Sequence, residues 1–218
     1  MLAAFLVGGV PFGLLLAALR GVDVRSAGSG NVGATNAART AGWPVGLATL
    51  LLDSGKGALA ATVGAIWGGP TLAAGMGCAA VLGHVFSPFL AFRGGKGVAT
   101  AAGAFAILDP LALGAALLTF GVVVSVTRTV SLGSVAGALA LAAGAAVSGA
   151  TAHTVGLAFA VAALVVVRHA DNLRRLRAGR ERRLGDAAPS ARPPPGVEAS
   201  APVVGAPPPG TKVEEAGD

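Results

Sequence analysis

Charged side chains are scarce in this sequence of 218 residues, since Asp, Glu, Lys and Arg together make up only 12% of it. A soluble globular domain carries roughly 25% charged residues, whereas 54% of this chain is hydrophobic. A soluble fold of this length cannot bury so much apolar surface. The composition therefore excludes an ordinary soluble domain and predicts an all-α integral membrane protein.

Cysteine is almost absent, and the single Cys78 lies in an apolar run. One cysteine excludes an intrachain disulfide and says nothing about the redox compartment. The sequence also lacks a cluster of carboxylates or cysteines with metal-ligand spacing. We therefore expect no metal site and no cofactor.

No Lys or Arg precedes the first apolar run, residues 2–19, and the first basic residue, Arg20, follows it. This order is the reverse of a secretory signal peptide, so we interpret the run as a retained helix. A bilayer core of about 30 Å requires about 20 apolar residues per helix. The apolar segments predict a bundle of seven transmembrane helices, of which the fourth is too short to cross alone, near residues 2–20, 43–67, 70–92, 97–108, 110–127, 131–149 and 152–168.

Basic residues follow the first, third, fifth and seventh of these segments, whereas the connections near 68–70, 109–110 and 149–152 contain none. The positive-inside rule then places the N-terminus outside and the C-terminus in the cytoplasm of a bacterial inner membrane. The same rule explains the net charge of +6 without nucleic acid. Residues 187–218, rich in Pro and Ala, are predicted to be a disordered cytoplasmic tail behind a membrane domain of residues 1–186.

Two of the cytoplasmic loops are rich in glycine. Residues 28–39 contain Ser29, Asn31 and Arg39, and residues 83–100 contain Gly94-Gly95-Lys96-Gly97 at the predicted start of the fourth helix. Accessible amides, a guanidinium, an ammonium group and a helix N-terminus are typical of a phosphate or carboxylate site. The spacing does not fit a nucleotide-binding P-loop, because Ser or Thr should follow the lysine directly.

The two remaining cytoplasmic segments add further polar groups. Residues 128–134 contribute hydroxyls, including Ser134, and residues 168–176 place His169 and Asn172 on one helix face if the seventh helix continues. Asp53 and Lys56 lie one helical turn apart within an apolar segment, where a charged residue is costly and usually paired. They form either a structural pair or part of the polar site, and His84 is interpreted as structural.

These observations predict a cytoplasmic-face site for a doubly anionic ligand, with lipid within reach. Three functions remain open from the residues alone. The chain is an enzyme acting on phosphorylated substrates, a transporter of a phosphorylated solute, or a lipid-binding scaffold. The transporter is disfavoured because, apart from Asp53 and Lys56, no polar path through the bilayer is visible.

Four segments, residues 28–39, 83–100, 130–134 and 168–176, together resemble the bacterial acyl-phosphate:glycerol-3-phosphate acyltransferases, the PlsY family. The resemblance extends from about residue 5 to residue 184. It implies transfer of an acyl group from acyl phosphate to the 1-hydroxyl of sn-glycerol 3-phosphate. The products are 1-acyl-glycerol 3-phosphate (lysophosphatidic acid) and inorganic phosphate, in the first step of phospholipid biosynthesis.

The resemblance also assigns roles to individual residues. Catalytic roles fall on His169 and Asn172, and the general base is either His169 or a substrate phosphate. Glycerol 3-phosphate would bind to Ser29, Asn31, Arg39, Lys96 and Ser134. Acyl phosphate would bind to the amides of Gly94, Gly95 and Gly97. The implied partners are these two substrates and the bilayer, with functional coupling to an enzyme that produces acyl phosphate.

Overall fold

The computed structural model of this chain describes residues 1–186, so the predicted tail, residues 187–218, lies outside the described residues. All regular structure in the described part is helical, which confirms the all-α prediction. The elements are α1 Leu2–Gly9, α2 Phe12–Ala18, α3 Ala34–Ala41, α4 Trp43–Val85, a 3-10 turn Pro88–Leu90, α5 Val98–Leu108, α6 Pro110–Thr127, α7 Val130–Val147, α8 Ala152–Arg168 and α9 Ala170–Arg177.

Several of these helices are long and apolar enough to cross a bilayer. By length and composition, three segments within residues 1–186 qualify, namely Trp43–Leu90, Pro110–Thr127 and Val130–Val147. A fourth would be α8 with α9, which bend by 53° against each other, whereas the α1–α2 segment and α5 are apolar but shorter. The seven crossings and the orientation of the termini stay predictions.

Helix α4 is a hairpin of two arms. Gly68 and Gly69 leave helical geometry inside it, and Pro70 follows them. A methyl group at Gly64 would lie 2.6 Å from the Cα of Ala73, although nine residues of straight helix would separate them by about 13 Å. The arms, residues 43–67 and 70–85, therefore fold back on each other. The second arm ends before its predicted limit of residue 92, because Pro88 begins a 3-10 turn.

The first predicted helix, residues 2–20, is interrupted rather than continuous. Val10 takes the extended values φ −58°, ψ 120°, and Pro11 stands at the N-cap of α2. Proline lacks an N–H group and disfavours helical geometry in the residue before it. The segment therefore consists of α1 and α2 with a break between them.

Side chains from α4 and the loop after it bind the carbonyl groups freed at this break. The Ser87 hydroxyl donates to the Gly9 carbonyl oxygen at 2.6 Å, and Lys56 Nζ donates to the Val10 carbonyl oxygen at 3.0 Å. Lys56 Nζ also lies 2.8 Å from Asp53 Oδ1. The predicted pairing of Asp53 with Lys56 is therefore present. The Lys56 ammonium group of this pair also donates to a backbone carbonyl that hydrocarbon could not hydrogen-bond.

Small residues let the helices pack closely. A methyl group at Gly83 of α4 would lie 1.9 Å from the Phe5 carbonyl oxygen of α1. A methyl group at Gly103 of α5 would lie 1.8 Å from the Ser54 carbonyl oxygen of α4. Such contacts are typical of membrane helices, which associate through close backbone approach. The second contact packs α5, which carries the fully buried Phe105, against α4.

Substituting Gly103 tests this packing. We expect Gly103→Ala to lower the melting temperature of the detergent-purified protein by several degrees, because the new methyl group overlaps the Ser54 carbonyl and overpacking costs about 1–3 kcal/mol. Gly114→Ala on α6 is the matched control, since nothing lies within 4 Å of its Cβ position. Equal melting temperatures for both variants would contradict the packing.

Candidate functional site

One cavity of about 310 Å³ collects residues from all four motif segments. Most of the residues predicted for the site line it, with only two exceptions. The lining residues among them are Ser29, Asn31, Arg39, Lys96, Gly97, Ser134, His169 and Asn172. Gly94 and Gly95 are not part of the lining.

The loop before α3 is held in shape by Asn36, which also lines the cavity and was missed by the sequence reasoning. Its Oδ1 accepts the Ser29 N–H at 2.8 Å. Its Nδ2 lies 2.9–3.1 Å from three carbonyl oxygens, those of Val24, Ala27 and Asn31. The buried amide thus fixes Ser29 and Asn31 at the cavity wall. An asparagine in a polar, glycine-rich loop was the only signal in the sequence.

Four helices begin at the cavity. Its lining contains first-turn or N-cap residues of α3, α5, α7 and α9, including Ala34 and Thr35, Val98 and Ala99, Val130 and Ser131, and His169 and Asn172. The first amides of a helix have no intrahelical acceptor, and the helix dipole places positive potential there. The convergence of these N-termini favours the binding of anions in the cavity.

The glycine loop before α5 uses two of its amides internally. The Gly94 N–H donates to the Val85 carbonyl at 3.1 Å, and the Gly95 N–H donates to the His84 carbonyl at 3.0 Å. Arg168 Nη2 in turn donates to the Gly94 carbonyl at 3.1 Å. A side chain at Gly95 would collide with the imidazole ring of His84, because a methyl group there would lie 2.2 Å from His84 Nε2. These contacts fix the loop and direct Lys96 and Gly97 into the cavity.

Lys96 is the principal cation of this wall. Its Nζ donates to Asn172 Oδ1 on α9. Burial, together with Arg175 and Arg168, lowers the pKa of Lys96 to about 8, although Glu181 and Asp171 oppose the shift. The ammonium group is therefore charged at neutral pH and loses its proton more readily than an ordinary lysine.

His169 is held in one tautomer. Its side chain is only 2% exposed, and its Nδ1 lies 2.8 Å from the Val165 carbonyl oxygen. Because a carbonyl oxygen only accepts, the hydrogen is on Nδ1 and Nε2 keeps a free lone pair. A second charge, buried in the same cavity as Lys96, would be unfavourable. The surroundings therefore favour the neutral ring.

Glu181 is a cavity residue that the sequence did not predict, because it lies beyond the motif of residues 168–176. Its Oε1 accepts from the Ser131 hydroxyl at 2.7 Å and from Asn172 Nδ2 at 2.5 Å, and its Oε2 accepts from Arg175 Nε at 2.8 Å. Burial alone would raise the pKa of Glu181, but these hydrogen bonds outweigh it and lower the pKa. The available signal was a lone acid within the basic run 174–183.

Asp53 and His84 also line the cavity, with His84 Nδ1 3.6 Å from Asp53 Oδ1. The Asp53–Lys56 pair is therefore both structural and adjacent to the polar site. Across residues 1–186, no group of three or more His, Cys, Asp or Glu could hold a metal ion.

An apolar groove of about 70 Å³ adjoins the polar cavity. The two share Val98, Ala102, Leu117, Phe120 and Ser134. From there the groove runs between α5, α6, α7 and α8, with Leu113, Leu141 and Val161 among its walls. A polar cavity is thus joined to an apolar groove.

Comparisons with known proteins show the family of this chain. The family model described as glycerol-3-phosphate acyltransferase matches residues 1–179. The glycerol-3-phosphate acyltransferase of Geobacter sulfurreducens is 48% identical over 182 residues, covering 83% of this chain and 93% of the relative. An enzyme of the same name from Thermus thermophilus is 44% identical over 190 residues, covering 85% of this chain and 94% of the relative.

Solved structures resemble the fold as well. The crystal structure of PlsY, an integral membrane glycerol 3-phosphate acyltransferase, in its glycerol 3-phosphate form has a TM-score of 0.81 and 37% identity, covering 84% of this chain and 93% of that chain. Its lysophosphatidic acid form has a TM-score of 0.78 at the same identity, covering 84% and 92%. The chain is therefore a multi-pass membrane protein that belongs to the glycerol-3-phosphate acyltransferase family of the PlsY type.

Proposed function

We propose that this protein transfers an acyl group from acyl phosphate to the 1-hydroxyl of sn-glycerol 3-phosphate. The products are 1-acyl-glycerol 3-phosphate and inorganic phosphate, which makes the reaction an entry step of phospholipid biosynthesis. One observation carries the proposal. Four helix N-termini, Arg39 and Lys96 meet at a cavity that continues into an apolar groove.

The polar cavity suits two phosphate-bearing reactants side by side. Two phosphates repel each other, and Arg39 and Lys96 offset that repulsion together with the amides that begin α3, α5, α7 and α9. Ser29, Asn31 and Ser134 add short polar contacts for glycerol 3-phosphate. For acyl phosphate, Gly97 and the first amides of α5 are the accessible donors, whereas Gly94 and Gly95 act by holding that loop.

The groove suits the acyl chain of the donor. If the acyl chain lies between α5 and α7, the carbonyl carbon of the donor sits near Ser134, where the groove and the cavity share their lining. The phosphate then points towards Lys96 and the N-terminus of α5. A slot next to an anion site orients an amphiphile without any covalent link to the protein.

In the reaction, the hydroxyl oxygen attacks the acyl carbonyl carbon and the bond from that carbon to the phosphate oxygen breaks. A phosphate is a good leaving group, so no covalent enzyme intermediate is needed. His169 Nε2 accepts a hydrogen bond from the hydroxyl and orients it. The neutral, buried ring is a weak base, so the proton passes to a substrate phosphate and leaves with the products. Lys96 and the α5 amides stabilise the developing negative charge.

We place this site at the cytoplasmic face of a bacterial inner membrane. The support is the distribution of Lys and Arg, which follow alternate apolar segments and cluster after α8. The cavity lining includes residues from the basic connections and from the helices beside them, and none from the connections without Lys or Arg.

The first test is turnover by the purified protein in detergent or proteoliposomes. We expect phosphate release and lysophosphatidic acid from acyl phosphate and glycerol 3-phosphate, with no product from acyl-CoA. Lys96→Ala and Arg39→Ala should lower kcat/KM by about 100-fold or more, because each removes a charge that stabilises the transition state. Arg174→Ala, which removes an exposed arginine, should retain activity. Normal turnover in the first two variants, or solute flux without chemistry, would contradict the proposal.

The second test is the pH dependence of the same reaction. Because the pKa of Lys96 is lowered to about 8, kcat/KM for glycerol 3-phosphate should fall above that pH, by up to about tenfold per pH unit. The secondary ionisation of a phosphate lies near pH 6 and does not explain this alkaline limb of the pH profile, in which kcat/KM falls. Lys96→Arg keeps its charge and should remain level to a higher pH, after correction for uncatalysed hydrolysis of acyl phosphate. An identical alkaline limb in both proteins would exclude Lys96 as its source.

The third test concerns the groove. Ala138 lies on α7, one helical turn from Ser134, and lines the groove but not the cavity. We expect Ala138→Leu to reduce kcat/KM by about tenfold more for a long-chain acyl phosphate than for a short one, because about three added carbon groups shorten the slot. Ala140→Leu on the same helix, outside the groove lining, is the matched control. Equal losses for all chain lengths would place the acyl chain elsewhere.

A further inference from the structure

Glu181 presents a carboxylate to a cavity whose cations and helix N-termini favour anions. The segment that carries it, residues 178–186, follows α9 and turns back at once, with the Arg180 N–H bonded to the Arg175 carbonyl at 2.8 Å. Its far end is tied to the loop after α6, because the Leu184 N–H donates to the Arg128 carbonyl at 2.7 Å. The carboxylate is therefore held in the cavity from both sides.

The contacts of Glu181 form part of a series of hydrogen bonds that leads to Lys96. Lys96 Nζ donates to Asn172 Oδ1, and Asn172 Nδ2 donates to Glu181 Oε1. The Glu181 side chain is only 6% exposed, and Ser131 and Arg175 complete its hydrogen bonds. A single buried carboxylate thus joins α7, α9 and the loop before α5.

This series of hydrogen bonds fixes the orientation of the Asn172 amide. With a carboxylate on one side and an ammonium group on the other, the NH₂ faces Glu181 and the carbonyl oxygen faces Lys96. The flipped amide would turn its NH₂ towards the ammonium and its oxygen towards the carboxylate, which loses both hydrogen bonds. The negative charge of Glu181 therefore decides which atom Asn172 presents to Lys96.

We propose that Glu181 is a positioning residue for the acyl transfer, which acts by fixing the Asn172 amide and, through it, the ammonium group of Lys96. The proposal rests on the proposed function, because it assigns Glu181 a part in that reaction. It predicts an effect on turnover rather than on the affinity for glycerol 3-phosphate, since Lys96 is assigned to the acyl phosphate and to the negative charge that develops in the transition state.

The electrostatic surroundings of Lys96 supply a readout that a merely structural residue would not affect. Glu181 and Asp171 favour the charged ammonium, whereas Arg175 and Arg168 oppose it. The other titratable or charged groups that line the same cavity are Arg39, Asp53, His84, His169 and Arg182. Removing the charge of Glu181 should therefore lower the pKa of Lys96, and the alkaline limb of kcat/KM should move with it.

The experiment compares wild type with Glu181→Gln, which keeps the shape but loses the charge, and Glu181→Asp, which keeps the charge but loses reach. We expect Glu181→Gln to lower kcat by about tenfold, to change KM for glycerol 3-phosphate less than about threefold, and to move the alkaline limb down by about half a pH unit. Glu181→Asp should lower kcat and leave the limb in place.

Two controls separate positioning from general effects. Asp171→Asn removes an acid from α9 whose side chain is 70% exposed and paired with Arg174, so it should leave kcat nearly unchanged and move the limb less than Glu181→Gln does. A double-mutant cycle with Asn172→Ala should be non-additive, because Glu181 acts through that residue. Melting temperatures of all variants confirm that they are folded.

Several outcomes would overturn the inference. If Glu181→Gln leaves both kcat and the alkaline limb unchanged, Glu181 only holds the segment 178–186 in place. A lower KM at unchanged kcat would mean that the carboxylate competes with a substrate phosphate. Additivity with Asn172→Ala would remove Asn172 from the connection. Absence of acyl transfer by wild type would instead refute the proposed function itself, and this inference with it.

Discussion

Holding two negative charges close together at the edge of a bilayer is the constraint on which this structure depends. Neither reactant of the proposed transfer approaches the other unless their phosphates are neutralised. The protein supplies positive potential from backbone as much as from side chains, because α3, α5, α7 and α9 all begin at the cavity. Helix dipoles cannot lose their charge by deprotonation, so they support Lys96, whose pKa is lowered to about 8.

Close helix packing is what brings these N-termini together. Short α5 packs against the first arm of α4 because Gly57 and Gly103 allow near contact with the carbonyls of Thr100 and Ser54. Larger side chains at these positions would move α5 outward and take Lys96 with it. The composition, rich in glycine and poor in charge, is therefore tied to the position of the cation as well as to the membrane.

The sequence predicted the helical class, and most of the residues that it predicted for the site line the cavity, because loop polarity and helix N-termini are local properties. It did not predict the break at Val10, since the carbonyls freed there are bound by Lys56 and Ser87, which are distant in the chain. It predicted accessible amides at Gly94 and Gly95. Both amides instead donate to carbonyls at the end of α4, so their state depends on where that helix ends. Glu181 was missed for a related reason, because its partners come from α7 and α9.

The peripheral position of α6 has a consequence for the traffic of hydrophobic molecules. Only Ala112 and Ala116 of this helix are buried, yet the helix forms one wall of the apolar groove. The partition between the groove and the surrounding hydrocarbon is thus a single helix thick. A lipid product made at the cavity would need only a small displacement of this partition to diffuse sideways into the leaflet, with its tail never entering water.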